Sequence, residues 1–140
     1  MTPVAALQAA LAGEHAAVYV YGVLGGQASQ SKQPKLYAAI DAAYAEHRSR
    51  RDTLTQRIAD RDVDPVPSAV SYRLPNAAST ATQLRAAARV VEGRCATVYG
   101  QLVESTSGND RRWAIKALRG CALRGLAFGA APEDFPGLAT

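Results

Sequence analysis

The segment Val63–Ala78, with the sequence VDPVPSAVSYRLPNAA, decides the fold, because it separates two long helical patterns without being helical itself. Each of its prolines, Pro65, Pro67 and Pro75, removes a backbone donor and restricts φ, so the segment is predicted to be extended. Sixteen extended residues reach about 50 Å, whereas a helix of 26 residues is about 39 Å long. The segment can therefore run the full length of a helical bundle.

Helical patterns on both sides of this segment predict four helices, over residues 3–25, 34–61, 80–105 and 110–128. Apolar residues recur at helical spacing in each of them. Pro3 and Pro34 suit the first helical positions, and Thr80 with Gln83 has the spacing of a capping box. No period-two pattern is long enough for a strand. The 140 residues are therefore predicted to form a single all-α domain.

Loop lengths predict how the helices are connected. Short loops at residues 27–33 and around Gly108 favour two antiparallel hairpins. The long crossover at Val63–Ala78 would then start helix 3 at the end of the bundle where helix 2 starts, so that helices 2 and 3 run parallel. This is the ferritin-like order of a four-helix bundle, and we prefer it to a simple up-down-up-down order.

The hairpins place several ionisable residues at one level of the core. In an antiparallel hairpin, residues equally far from the middle of the loop lie opposite each other. This places Glu14 opposite His47 in the first hairpin and Glu92 opposite Arg124 in the second. If helices 2 and 3 are parallel, these four residues form one polar layer, with Arg51 one turn away. A buried carboxylate without a partner is costly, so the layer should be paired internally. It is interpreted as a structural network, and the alternative is a ligand or metal site.

The second hairpin also places Cys95 opposite Cys121. In a reducing compartment such a pair is interpreted as two small buried thiols, and the alternative is a disulfide. Two cysteines are too few for a disulfide framework, and they do not form a Cys-x-x-Cys motif.

Three stretches resemble a known family. They are EHAAVYVYG at Glu14–Gly22, EHRSRRD at Glu46–Asp52 and PEDFPGL at Pro132–Leu138. They are similar to an uncharacterised family of ferritin-like domains found mostly in actinobacteria, and the resemblance extends over nearly the whole chain. It implies the fold, but no activity, because the function of that family is not established.

The ligand pattern of ferritin-like di-iron proteins is only partly present. Those proteins supply one Glu from each of helices 1 and 3, which Glu14 and Glu92 match, and a Glu-x-x-His motif from each of helices 2 and 4. In helix 2 a glutamate stands directly beside His47, and adjacent residues point about 100° apart. Residues 111–131 contain no Glu, Asp or His and offer Arg124 instead. We therefore predict no metal and no cofactor; a single metal, if bound, would use Glu14, His47 and Glu92.

Helix 1 is apolar on nearly every side, which is typical of a helix buried on every side. We therefore predict a homodimer through its outer face, assisted by small residues of helix 3. The residues concerned are Ala9, Ala12, Ala16, Val20 and Val23 of helix 1 and Ala86, Gly93, Ala96 and Gly100 of helix 3.

Charge and composition limit the remaining possibilities. The net charge of +4 is interpreted as a solvated basic face, because no nucleic-acid motif accompanies it. Anion or nucleic-acid binding through Arg112, Lys116 and Arg119 is a weaker alternative. No membrane span is expected, since Glu14 and His15 interrupt the first apolar run, and a cytoplasmic location follows by default.

The function predicted from the sequence is that of a metal-free ferritin-like bundle acting as an interaction or scaffold module rather than as an enzyme. The alternative is a metal-binding, oxidoreductase-like protein.

Overall fold

The computed structural model describes residues 1–138, which contain four helices and no strand. The helices are α1 (Pro3–Gln27), α2 (Pro34–Ala59), α3 (Ala81–Ser105) and α4 (Gly108–Ala127). The all-α prediction is confirmed, and the arrangement is consistent with a four-helix bundle. None of the helices among the described residues is long and apolar enough to cross a membrane.

Side-chain caps form at two helix starts, and the one at Thr80 was predicted from the sequence. The Thr2 side chain accepts a hydrogen bond from the N–H of Ala5 (3.1 Å), and the Thr80 side chain accepts one from the N–H of Gln83 (3.1 Å). The Gln83 side chain accepts from the N–H of Ser79, one residue before the helix cap (2.9 Å). The first two bonds satisfy backbone N–H groups that have no acceptor within the helix, and the third satisfies the N–H just before the cap.

Helices α1 and α3 connect the packing. The first helix contacts both α2 and α3, and α3 also packs on α4 and meets α2 at a few residues. Small residues allow close approach: a Cβ atom at Gly13 would lie only 3.2 Å from the Val98 side chain, and one at Gly25 would lie 3.8 Å from Ile40. The buried side chains of all four helices form one core.

The long connection between α2 and α3 covers part of the outer face of α1. The Gln8 side chain donates to the carbonyl of Asp64 (2.7 Å) and accepts from the N–H of Val66 (2.8 Å). His15 donates through Nε2 to the carbonyl of Val66 (2.9 Å). On the face assigned to a partner, Val20 is only 2% exposed, whereas Ala12 is exposed and the remaining residues are half-buried. The same chain therefore buries part of this face.

The segment after α4 covers part of α3. Gly137 has a φ of +84° and lies against the carbonyl of Ala96, where a Cβ atom would collide. A Cβ atom at Gly100 would in turn lie 3.1 Å from the carbonyl oxygen of Gly137. Small residues of α3 that the sequence assigned to a dimer contact thus receive the chain's own C-terminal segment.

Candidate functional site

Three ionisable side chains from three helices meet in the centre of the bundle. Glu14 comes from α1, His47 from α2 and Glu92 from α3, and each is at most 1% exposed. The Nδ1 atom of His47 lies 2.6 Å from Oε2 of Glu14, and its Nε2 atom lies 3.0 Å from Oε1 of Glu92. The imidazole ring therefore joins two buried carboxylates.

The geometry makes His47 a cation. Both of its ring nitrogens face carboxylate oxygens, and only the protonated imidazole can donate from both. Burial by itself would lower the pKa of His47, but the hydrogen bonds and negative charges of Glu14 and Glu92 outweigh it and raise that pKa to about 9. The centre of the layer is a carboxylate–imidazolium–carboxylate bridge.

Two tyrosines also donate hydrogen bonds to these carboxylates. Tyr99 on α3 donates to Oε1 of Glu14 (2.5 Å), and Tyr21 on α1 donates to Oε1 of Glu92 (2.6 Å). The Tyr21 ring also stacks on His47, with the ring centres 5.2 Å apart. Burial, followed by the adjacent carboxylates, raises the pKa of both phenols above the usual range, so both stay neutral donors.

The sequence carries a signal for the role of these two tyrosines. Glu14 and Tyr21 are seven residues apart, as are Glu92 and Tyr99. This spacing places each pair on one face of its helix, two turns apart. Because each tyrosine binds the glutamate of the other helix, the repeated spacing creates a crossed pair of contacts between α1 and α3.

Arg124 joins the layer from α4, as the sequence placed it. Its Nε atom donates to Oε1 of Glu92 at 2.9 Å. That oxygen also accepts from Tyr21 and His47, whereas Oε2 of Glu92 is buried without a hydrogen-bond partner among the described residues. Burial acts to raise the pKa of Glu92, but His47 and then Arg124 overcome it and lower that pKa to about 2.

The second arginine of the layer is Arg50, and the assignment of Arg51 needs correction. Arg51 turns outward and pairs with the exposed Asp52 at 2.9 Å. Arg50 is 6% exposed, and its guanidinium lies 5.3 Å from the centre of the Tyr99 ring. Residues three and four positions after His47 lie on the same side of α2, so helical spacing did not distinguish the two arginines.

Gly120 on α4 makes room for Arg50. A Cβ atom at this position would collide with Nη2 of Arg50. From this place Arg50 donates through Nη1 to the sulfur of Cys121 (3.2 Å). Both Cys121 and Cys95 are buried free thiols, which agrees with the interpretation made from the sequence.

The comparisons with known proteins identify relatives of unknown function. Residues 6–140 match the family described as Domain of unknown function (DUF4439). The structure is similar to the crystal structure of a conserved hypothetical protein from Mycobacterium tuberculosis, with a TM-score of 0.82 and 31% sequence identity over 90% of this chain and 93% of that chain. No curated protein matches the chain. By these matches the chain belongs to the DUF4439 family, whose function is not established.

Proposed function

We propose that this protein is a metal-free ferritin-like bundle that acts as an interaction or scaffold module. The observation that carries the proposal is the position of His47, whose two ring nitrogens are both bound by carboxylates. A metal ion bound to His47 would have to displace the proton from one ring nitrogen and with it the hydrogen bond to a carboxylate. Arg50 and Arg124 supply further positive charge nearby. The protein itself thus provides the cations that the two carboxylates need.

The ferritin-like arrangement is part of this proposal, and the residue contacts support it. In three pairs of helices, the residue numbers of the contacts fall along one helix as they rise along the other, as expected for antiparallel helices. The contacts are Gly25–Ile40 and Glu14–His47 for α1 and α2, Tyr21–Glu92 and Glu14–Tyr99 for α1 and α3, and Arg89–Phe128 and Glu92–Arg124 for α3 and α4. Helices α2 and α3 are both opposed to α1, and therefore run in the same direction. The network would then fix the register of all four helices.

A metal-binding protein is the second candidate, and one observation favours it. Ligand atoms of Glu14, His47 and Cys95 all lie within 4.8 Å of one another. This set differs from the one expected from the sequence, since Cys95 replaces Glu92. Carboxylate, imidazole and thiolate together would suit Zn²⁺. Such a site would require His47 and Cys95 to lose protons, and the neighbouring Cys121, together with burial, raises the pKa of Cys95.

Elemental analysis tests the proposal against this second candidate. The full-length protein, purified without chelator and then incubated with Zn²⁺ or with Fe²⁺ under reducing conditions, is expected to retain less than about 0.1 ion per chain. About one ion per chain that is lost in Glu14→Ala, but kept in the exposed control Glu104→Ala, would overturn the metal-free proposal.

The interaction role includes the predicted homodimer and a cytoplasmic location, which suits two free thiols. Because the connection covers part of α1, we propose the contact on α4, where Ile115, Leu123 and Leu126 are 42%, 63% and 42% exposed. Apolar side chains grouped on one exposed helix are typical of a protein contact.

Light scattering tests the association. We expect a dimer at micromolar concentration that dissociates in Leu123→Glu. The control is Val70→Glu, which changes an even more exposed apolar residue, on the long connection, and should leave the dimer intact. A wild-type monomer at this concentration would refute the homodimer.

A further inference from the structure

Two guanidinium groups converge on the sulfur of Cys121. Arg50 donates through Nη1 at 3.2 Å, and Arg124 donates through Nη2 at 3.7 Å. Cys95 is a close neighbour, and each cysteine shifts the pKa of the other. A neutral thiol is a weak acceptor, whereas a thiolate is stabilised by adjacent guanidinium groups. The surroundings of Cys121 are therefore those of an ionised sulfur.

The charges around the layer are compatible with the same state. It holds three cations, the buried His47 and Arg50 and the partly buried Arg124, whose side chain is 21% exposed, but only two buried carboxylates, Glu14 and Glu92. A further carboxylate, Glu46, contacts Arg50 at 3.3 Å from a half-exposed position. A thiolate at Cys121 places a third anion directly beside Arg50 and Arg124.

The Cys121 side chain also borders a cavity. The cavity has a volume of about 150 Å³ and lies between α3, α4 and the C-terminal segment. Glu92, Ala96, Gly125 and Pro136 contribute to its walls. Since a water molecule takes up about 30 Å³ in the liquid, the cavity admits hydrogen peroxide or another small hydroperoxide but not a large substrate.

We propose that Cys121 is a redox-active thiolate which a small hydroperoxide oxidises, and that Cys95 then closes a disulfide with it. The Cys121 sulfur attacks one peroxide oxygen, so that an S–O bond forms and the O–O bond breaks. The leaving oxygen takes a proton from water and departs as water or an alcohol. The Cys95 sulfur next attacks the sulfenic acid, an S–S bond forms, and the hydroxyl leaves as water with the Cys95 proton.

Electrostatics separates the roles of the two cysteines. The neighbouring Cys95, together with Arg50 and Arg124, lowers the pKa of Cys121. Cys121 and burial in turn raise the pKa of Cys95. Because both guanidinium groups donate to the sulfur of Cys121, this sulfur is the nucleophile, and Cys95 is the protonated partner that attacks only after Cys121 is oxidised. This site is independent of the interaction role proposed above.

Hydrogen peroxide added to the reduced full-length protein tests the proposal by mass spectrometry. We expect an intramolecular Cys95–Cys121 disulfide in the wild type. In Cys95→Ser a sulfenic acid should accumulate on Cys121 and be trapped by dimedone, whereas in Cys121→Ser the Cys95 thiol should stay reduced. If both thiols of the folded wild type survive excess peroxide that oxidises the urea-unfolded chain, or if Cys95 is oxidised equally without Cys121, the proposal is wrong.

Arg50 and Arg51 are adjacent in sequence, so their variants form a matched pair that tests whether the guanidinium of Arg50 activates Cys121. In the Cys95→Ser background, Arg50→Gln should slow dimedone trapping about tenfold, and Arg51→Gln should leave it unchanged. Gly120→Ala, which displaces Arg50 without removing it, should also slow trapping if Arg50→Gln does not fold. Equal trapping rates in folded Gly120→Ala and Arg51→Gln proteins would show that Arg50 does not activate Cys121.

Discussion

Replacing Glu14 or His47 by alanine is expected to lower the free energy of unfolding by about 3 kcal/mol each. Without Glu14, His47 keeps only one carboxylate and the Tyr99 hydroxyl loses its acceptor. Without His47, two carboxylates face each other in the core with less positive charge between them. Either change leaves a buried polar group unpaired, which costs more than the intact contact contributes.

The double variant is expected to cost much less than both single changes combined. Replacing Glu14 by leucine and His47 by methionine together removes both desolvation penalties while filling similar volume. A double-mutant cycle of Glu14→Leu, His47→Met and the double variant, measured by urea unfolding, should therefore show strong non-additivity. Glu46→Ala is the control, because Glu46 is adjacent to His47 in sequence but half-exposed, and it should change stability little.

Small and additive effects of the two single variants would contradict the structural interpretation of the layer. They would mean that the native state does not depend on the bridge for stability. A site maintained for binding often has this property, since function commonly reduces stability. That result would favour the metal-binding alternative and would make the Glu14, His47 and Cys95 set the first to examine.

The stability of the protein is expected to fall by about 3 kcal/mol between pH 6 and pH 9.5. His47 has a pKa of about 9 in the folded state and about 6.5 in an unfolded chain. A raised folded-state pKa gives stability that is fully present below pH 6.5 and lost as the pH rises through 9. In physical terms, raising the pH removes the proton that links the two carboxylates.

Urea unfolding at the two pH values checks this prediction, with His47→Gln as the reference. The difference in unfolding free energy between wild type and variant isolates the contribution of His47 from that of other titrating groups. This difference should shrink toward pH 9.5. A difference that stays constant across the range would show that His47 is not protonated in the native state.

Glu92 predicts a separate loss of stability in acid. Its folded-state pKa of about 2 lies below its unfolded value of about 4.5, so its contribution is present above pH 4.5 and lost as the pH falls toward 2. The layer should therefore stabilise the fold most between about pH 4.5 and pH 6.5.

Local signals in the sequence determined the helices and the level of the polar residues. Caps such as Thr2 and Thr80 and the extended connection act within a few residues, so they can be identified without tertiary structure. Helical spacing and loop length were sufficient to bring Glu14, His47 and Glu92 to one level, because helices are rigid and of known pitch. The Glu-to-Tyr spacing of seven residues was also present in the sequence.

Tertiary packing alone decided which side chains fill the remaining space. Arg50 rather than Arg51 enters the core because Gly120, on a helix far away in sequence, leaves room for it. Part of the apolar outer face of α1 is covered by the chain's own connection, and part of α3 is covered by the segment around Gly137. The sequence by itself indicated that these apolar faces should be covered, since exposed apolar surface is costly. Which element buries them depends on the path of the chain in three dimensions.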